Sequence, residues 1–77
     1  KFAALALMPF GAEIRPMERW LGRTVVDVNF RARYNLNIVA VKQGEGVIPI
    51  PGPNYVFNED EHIMVLGHIN DIRRVAY

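Results

Sequence analysis

Arg31, Arg33 and Asn37 lie within a short stretch of chain that also carries Val25, Val26 and Phe30. A guanidinium beside a carboxamide can hold a phosphate through charge-assisted hydrogen bonds. Aliphatic and aromatic faces next to them can hold a nucleobase, so the set fits a nucleotide-like ligand. The same residues also read as solvated arginines above core valines, and residue types alone favour that plainer reading. Other chemistry is poorly supplied. The chain of 77 residues has neither cysteine nor serine, which removes thiolate metal sites and two classes of nucleophile. His62 and His68, with Glu59, Asp60 and Glu61 nearby, could be set around a metal. They read better as solvated residues at the two ends of a strand, and the acidic residues as a polar turn rather than an acid/base pair. Gly44-Glu45-Gly46 is followed by no helix start that would offer amides to a phosphate. No catalytic residue and no metal ligand is assigned, and the chain reads as a binding module, not an enzyme.

The elements that must position the first set run from Gly22 to Lys42. Thr24 is an N-cap for a short turn, with Asp27 as its capping-box partner. Val25, Val26 and Val28 point to more than one side of that turn, so one of them needs cover from beyond the local core. Asn29 is a second candidate N-cap, opening the turn Phe30-Arg31-Ala32-Arg33. Asn35 falls where a left-handed residue would stop that turn, a conformation Asn tolerates. The β-branched, nearly continuous apolar run from Leu36 to Val41 then predicts a central strand.

Around this unit, Ala12-Glu13-Ile14-Arg15 predicts a short edge strand between Gly11 and Pro16. Trp20 and Leu21 are expected to pack beneath the central stretch. Gln43-Gly44-Glu45-Gly46 predicts a hairpin, with both glycines supplying positive φ, and Val47 to Ile50 returns as an edge strand because it holds Pro49. After the stiff turn Pro51-Gly52-Pro53-Asn54, His62 to Leu66 predicts a strand that Gly67 ends. Ile69 is then a staple and Asn70 the N-cap of a closing helix from Asp71 to Ala76. The expected fold class is α+β, a small mostly antiparallel sheet with helices packed on it.

Net charge is +1 with both signs interspersed, which lacks the electrostatic footprint of a nucleic-acid or membrane binder. Apolar residues make up 51%, a surplus for a domain that buries only about 60% of its unfolded surface. Small domains with such a surplus often complete their core across a dimer interface. Phe2 to Phe10 is far shorter than a membrane span. A cytoplasmic setting is the expectation.

Leu21-Gly22-Arg23-Thr24, the run from Asn29 to Val41, Val47-Ile48-Pro49, the proline-rich turn, Asn58-Glu59-Asp60-Glu61 and the strand-ending Gly67 together resemble one family. It is the C-terminal domain of the regulator of K+ conductance proteins, RCK-C or TrkA-C. Family members usually carry Gly at the Asn35 position, in keeping with a left-handed stop. The resemblance divides the chain into a lead-in strand or linker over residues 1–12 and an RCK-C-like regulatory domain over 13–77. It implies a homodimer in the cytoplasmic part of a potassium channel, a Ktr/Trk transporter or a cation/proton antiporter. The implied partner is a membrane-embedded potassium or cation transport subunit or domain, with no nucleic acid polymer and no resident cofactor. One bacterial branch resembles a receptor for cyclic di-AMP, lined by an aliphatic pair, an Asp, an Ile-Arg-Ala run, an Asn-Ile pair and a later proline. Here Val25 and Val26 stand for the pair, Asn29 for the Asp, Phe30-Arg31-Ala32 for the run, Asn37-Ile38 for the next pair, and Pro51 or Pro53 for the proline. Asn for Asp and Phe for Ile are departures from that pattern. A purely structural dimerisation module without a ligand is the alternative from a different class. A regulatory domain on a metabolic enzyme is a third.

Overall fold

The structure, a computed structural model, describes residues 10–76, so residues 1–9 of the expected 1–12 lead-in lie outside the described residues. In chain order it has β1 (Phe10–Ile14), a 3₁₀ turn (Glu18–Trp20), α1 (Val25–Val28), α2 (Phe30–Tyr34), β2 (Leu36–Gln43), β3 (Gly46–Pro49), β4 (Glu61–Gly67) and α3 (Ile69–Val75). The strands form one antiparallel sheet in the order β1-β4-β2-β3. This is the α+β arrangement expected from the sequence, with β1 and β3 on the edges and the Leu36 run inside.

Alternation along β4 shows which face is the core. Glu61, Ile63, Val65 and Gly67 are buried, while His62, Met64 and Leu66 are exposed. In β2 the apolar run is continuous because a bulge between Ile38 and Ala40 shifts the register. An extra residue there puts Ile38 and Val41 opposite Val65 and Ile63, on the same face of the sheet. Trp20, at 1% exposure, sits under the helices with its ring 4.8 Å from Phe30 and 5.3 Å from Tyr34, both edge-on. Its indole Nε1 donates to the Tyr34 hydroxyl at 3.1 Å, so the one polar atom of the ring has a partner.

Several local expectations change. Asn35 does take up the left-handed conformation, at φ 55° and ψ 37°. Asn29 does so too, at φ 56° and ψ 62°, and its side chain makes no cap bond. A cap needs extended backbone for its side chain to turn back, so Asn29 instead breaks the path between α1 and α2. Thr24 caps α1 by accepting from the Asp27 amide at 3.2 Å. The reciprocal bond of a capping box is not formed, and Asp27 is exposed. Of the hairpin glycines only Gly44 has positive φ, because Gly46 is already paired with Gln43. α3 begins at Ile69, two residues earlier than expected, and is capped by His68, whose Nδ1 accepts from the Asn70 amide at 3.1 Å. Glu61 is not in the polar turn but opens β4 and is buried.

Candidate functional site

β3 pairs with β2 only along Ala40 to Gln43. The outer edge of Leu36–Ile38 therefore carries no strand among the described residues, and a cleft of about 310 Å³ opens beside it. Val25 and Val26 of α1, Phe30 and Arg31 of α2, Asn29 between them, Leu36, Asn37 and Ile38 of β2, and Pro53 line it. At its rim the Arg31 guanidinium donates to the Asn37 carboxamide oxygen at 2.8 Å. Both residues are exposed. The site is thus an apolar trough with Arg31 and its partner Asn37 on the lip and a second amide, Asn29, in the lining, open to a ligand or a second molecule.

α1 lies here because its first amides are satisfied from outside. Helix starts leave backbone N–H groups without intrahelical partners. In α1 the Val25 and Val26 amides donate to the carbonyls of Tyr55 and Pro53 at 2.9 and 3.0 Å. The segment before α1 joins the same loop, with Gly22 N–H on the Phe57 carbonyl and Phe57 N–H on the Arg23 carbonyl, both at 3.0 Å. Val28 is buried, Val25 half-buried and Val26 exposed at 59%, so Val26 is the valine left without cover in the single chain.

Of the residues named from the sequence, the fold brings together Val25, Val26, Asn29, Phe30, Arg31, Asn37, Ile38 and Pro53. Ala32 is exposed and Pro51 is buried, and neither lines the cleft. Arg33 is also outside the lining, since residues two apart on a helix face different ways. Leu36 lines the floor and was legible only as a strand residue.

Two polar groups outside the cleft have more structure than the sequence shows. His62 is not simply solvated, because its Nδ1 donates to the Glu13 carboxylate at 2.5 Å across β1 and β4. That hydrogen bond is the main cause holding the Glu13 carboxyl below its ordinary 4.5. Glu61, at 2% exposure, accepts from the Tyr55 hydroxyl at 2.5 Å, the Gln43 amide at 3.2 Å and the Asn58 backbone N–H at 2.9 Å. Burial first, and then the bond to Glu61, push the Tyr55 phenol up to about 12. Period-two alternation back from Ile63 carries the signal that Glu61 faces inward. Among the described residues there is no group of three or more His, Asp or Glu able to hold a metal.

Over residues 10–76 the chain matches the model of the TrkA-C domain. It is 39% identical over 62 residues to the Ktr system potassium uptake protein C of Bacillus subtilis (strain 168), covering 80% of this chain and 28% of that protein. It is 31% identical over 52 residues to the Ktr system potassium uptake protein A of the same organism, covering 68% of this chain and 23% of that one. The chain therefore spans about a quarter of the length of these relatives. Among solved structures, the RCK C domain of the potassium transport protein KtrA, in complex with cyclic diadenosine monophosphate, superposes with a TM-score of 0.79 at 32% identity. That match covers 95% of this chain and 86% of the other. The RCK_C domain dimer of BusR from S. agalactiae, also in complex with that dinucleotide, gives a TM-score of 0.71 at 25% identity over 90% of this chain and 85% of the other.

Proposed function

The chain belongs to the TrkA-C domain family, and on that premise we propose that it is the ligand-sensing, dimerising regulatory domain of a potassium or cation transport protein, with cyclic di-AMP as its ligand. The regulatory domain is taken as residues 13–77, and the family match reaches back to residue 10. One observation carries the reading of the ligand: the Arg31–Asn37 pair stands on the lip of an apolar cleft made by Val25, Val26, Phe30, Ile38 and Pro53. The pair can bind a phosphate, and the trough can take an adenine. A two-fold symmetric dinucleotide suits two copies of this cleft facing one another across an isologous dimer. Each copy then gives Arg31 and Asn37 to one phosphate. The complexes of KtrA and BusR with the same dinucleotide support this choice.

The ligand acts through its differential affinity for two arrangements of the dimer. Such a shift is passed to the membrane-embedded partner and changes ion flux. Nothing in this scheme requires a covalent step, so the domain is read as a sensor and not an enzyme. Among the described residues no helix is long and apolar enough to cross a membrane. The proposed setting is cytoplasmic, at the membrane through the transport partner.

A thermal-shift titration tests the proposal. Cyclic di-AMP at a hundred times its Kd should stabilise the fold by about 2.7 kcal/mol and raise Tm accordingly. AMP at the same concentration should not match it. An unmoved Tm with cyclic di-AMP would overturn the ligand reading and favour a purely structural dimerisation module.

A further inference from the structure

We propose that Glu61 and Tyr55 are positioning residues for the cleft, a latch anchored on buried Glu61 that sets the loop on which α1, with Val25 and Val26, hangs. The inference rests on the ligand reading above for its role in binding, and on geometry for its existence. The segment from Pro51 to Asp60 crosses the molecule with only an isolated bridge, Thr24 to Val56, as regular pairing. It nevertheless supplies the Tyr55 and Pro53 carbonyls that take the first two amides of α1, and Pro53 itself lines the cleft. Something must fix this segment. Buried Phe57 and its backbone bonds to Gly22 and Arg23 hold part of it, and the Glu61 carboxylate fixes the rest from the core, holding the Tyr55 hydroxyl with one oxygen and the Asn58 N–H with the other. Gln43, at the far end of β2, donates to both Glu61 and the Tyr55 hydroxyl, the latter at 2.7 Å.

The chain of contacts is continuous: Glu61 carboxylate to Tyr55 hydroxyl, Tyr55 carbonyl to Val25 N–H, and Val25 side chain into the cleft. Every arriving group is a donor, and a carboxylate meets all of them because it is an acceptor only. A glutamine in its place turns an N–H₂ toward one of these donors. A phenylalanine at Tyr55 removes the hydroxyl while keeping the ring, which packs edge-on against Phe57 at 5.8 Å. Neither residue lines the cleft, so any effect on the ligand travels through the loop.

The experiment compares Glu61→Gln, Tyr55→Phe and Ile72→Val, the last a core change in α3, outside the loop and the cleft lining. Titration calorimetry with cyclic di-AMP is run at a temperature where all are folded. Amide hydrogen exchange is measured without ligand. Glu61→Gln and Tyr55→Phe should weaken binding about tenfold, as for loss of one well-made hydrogen bond. Ile72→Val should keep the wild-type Kd even where its Tm falls. In the free protein the Val25 and Val26 amides should exchange faster in the two latch variants, with Val65 unchanged. Unchanged exchange at Val25 and Val26 would overturn the latch whether or not the nucleotide binds. Faster exchange with a wild-type Kd would overturn its role in binding. A wild type that binds no nucleotide would sink the ligand reading, while the exchange data would still decide the latch.

Discussion

Asn35 ends α2 in the left-handed region with its side chain on the Asp71 carboxylate at 3.1 Å, a solvent-exposed bond worth little. Asn35→Gly should therefore change stability by less than about 1 kcal/mol. Asn35→Val should lose roughly 1–2 kcal/mol, because a β-branched side chain crowds the following carbonyl there. Denaturant melts of the two variants measure the difference. Glu13 offers a pH test whose sign is fixed. Its carboxyl titrates below 4.5 in the folded state, so its contribution is present above the unfolded value and lost as pH falls through the folded one. Glu13→Gln should flatten the acid side of a Tm-against-pH curve below about pH 5. Tyr55 gives the opposite sign. With the phenol pushed from 10.0 to about 12, its contribution is complete below pH 10 and lost as pH rises toward 12. Phenolate absorbance, wild type minus Tyr55→Phe, should show a transition near 12 rather than 10.

Between elements, β4 ends in close contact with the start of β2. A methyl group on Gly67 would collide with the Leu36 side chain, which is fully buried. Gly67→Ala should cost about 1–3 kcal/mol by overpacking, and it should also disturb the cleft whose floor Leu36 forms. Urea melts and the nucleotide affinity of the variant check both effects. The same level shows what could be read from sequence. β2, β3, β4 and the left-handed Asn35 were legible because local patterns decide them: alternation, proline and asparagine. The clustering of Arg31, Asn37, Val25, Val26 and Phe30 was legible because they belong to one turn-and-strand unit. Three features were not. The Asn29 backbone depends on how α1 and α2 pack, the His68 cap on a side-chain rotation, and the Glu61 latch on Tyr55 and Gln43 arriving from distant positions. Tertiary hydrogen bonds leave no periodic trace, so only the inward parity of Glu61 was there to be read.

For the whole molecule, the uncovered apolar residues give the physical reason for a partner copy. Val26 at 59% and Ile50 at 78% exposure leave apolar surface in water near the unpaired edge of β2, a pattern associated with interaction sites. Light scattering at micromolar concentration should therefore report a dimer, and Val26→Glu should shift it toward monomer. In the proposed function, such a dimer reads cyclic di-AMP through Arg31. Titration calorimetry on the wild type, Arg31→Ala and Arg33→Ala tests it most directly. The predicted result is one nucleotide per two chains, with Arg31→Ala weakening binding at least tenfold through loss of a charge-assisted bond from each copy, and Arg33→Ala, outside the cleft, costing far less. Absence of binding heat in the wild type, or equal losses from the two arginine variants, would contradict it.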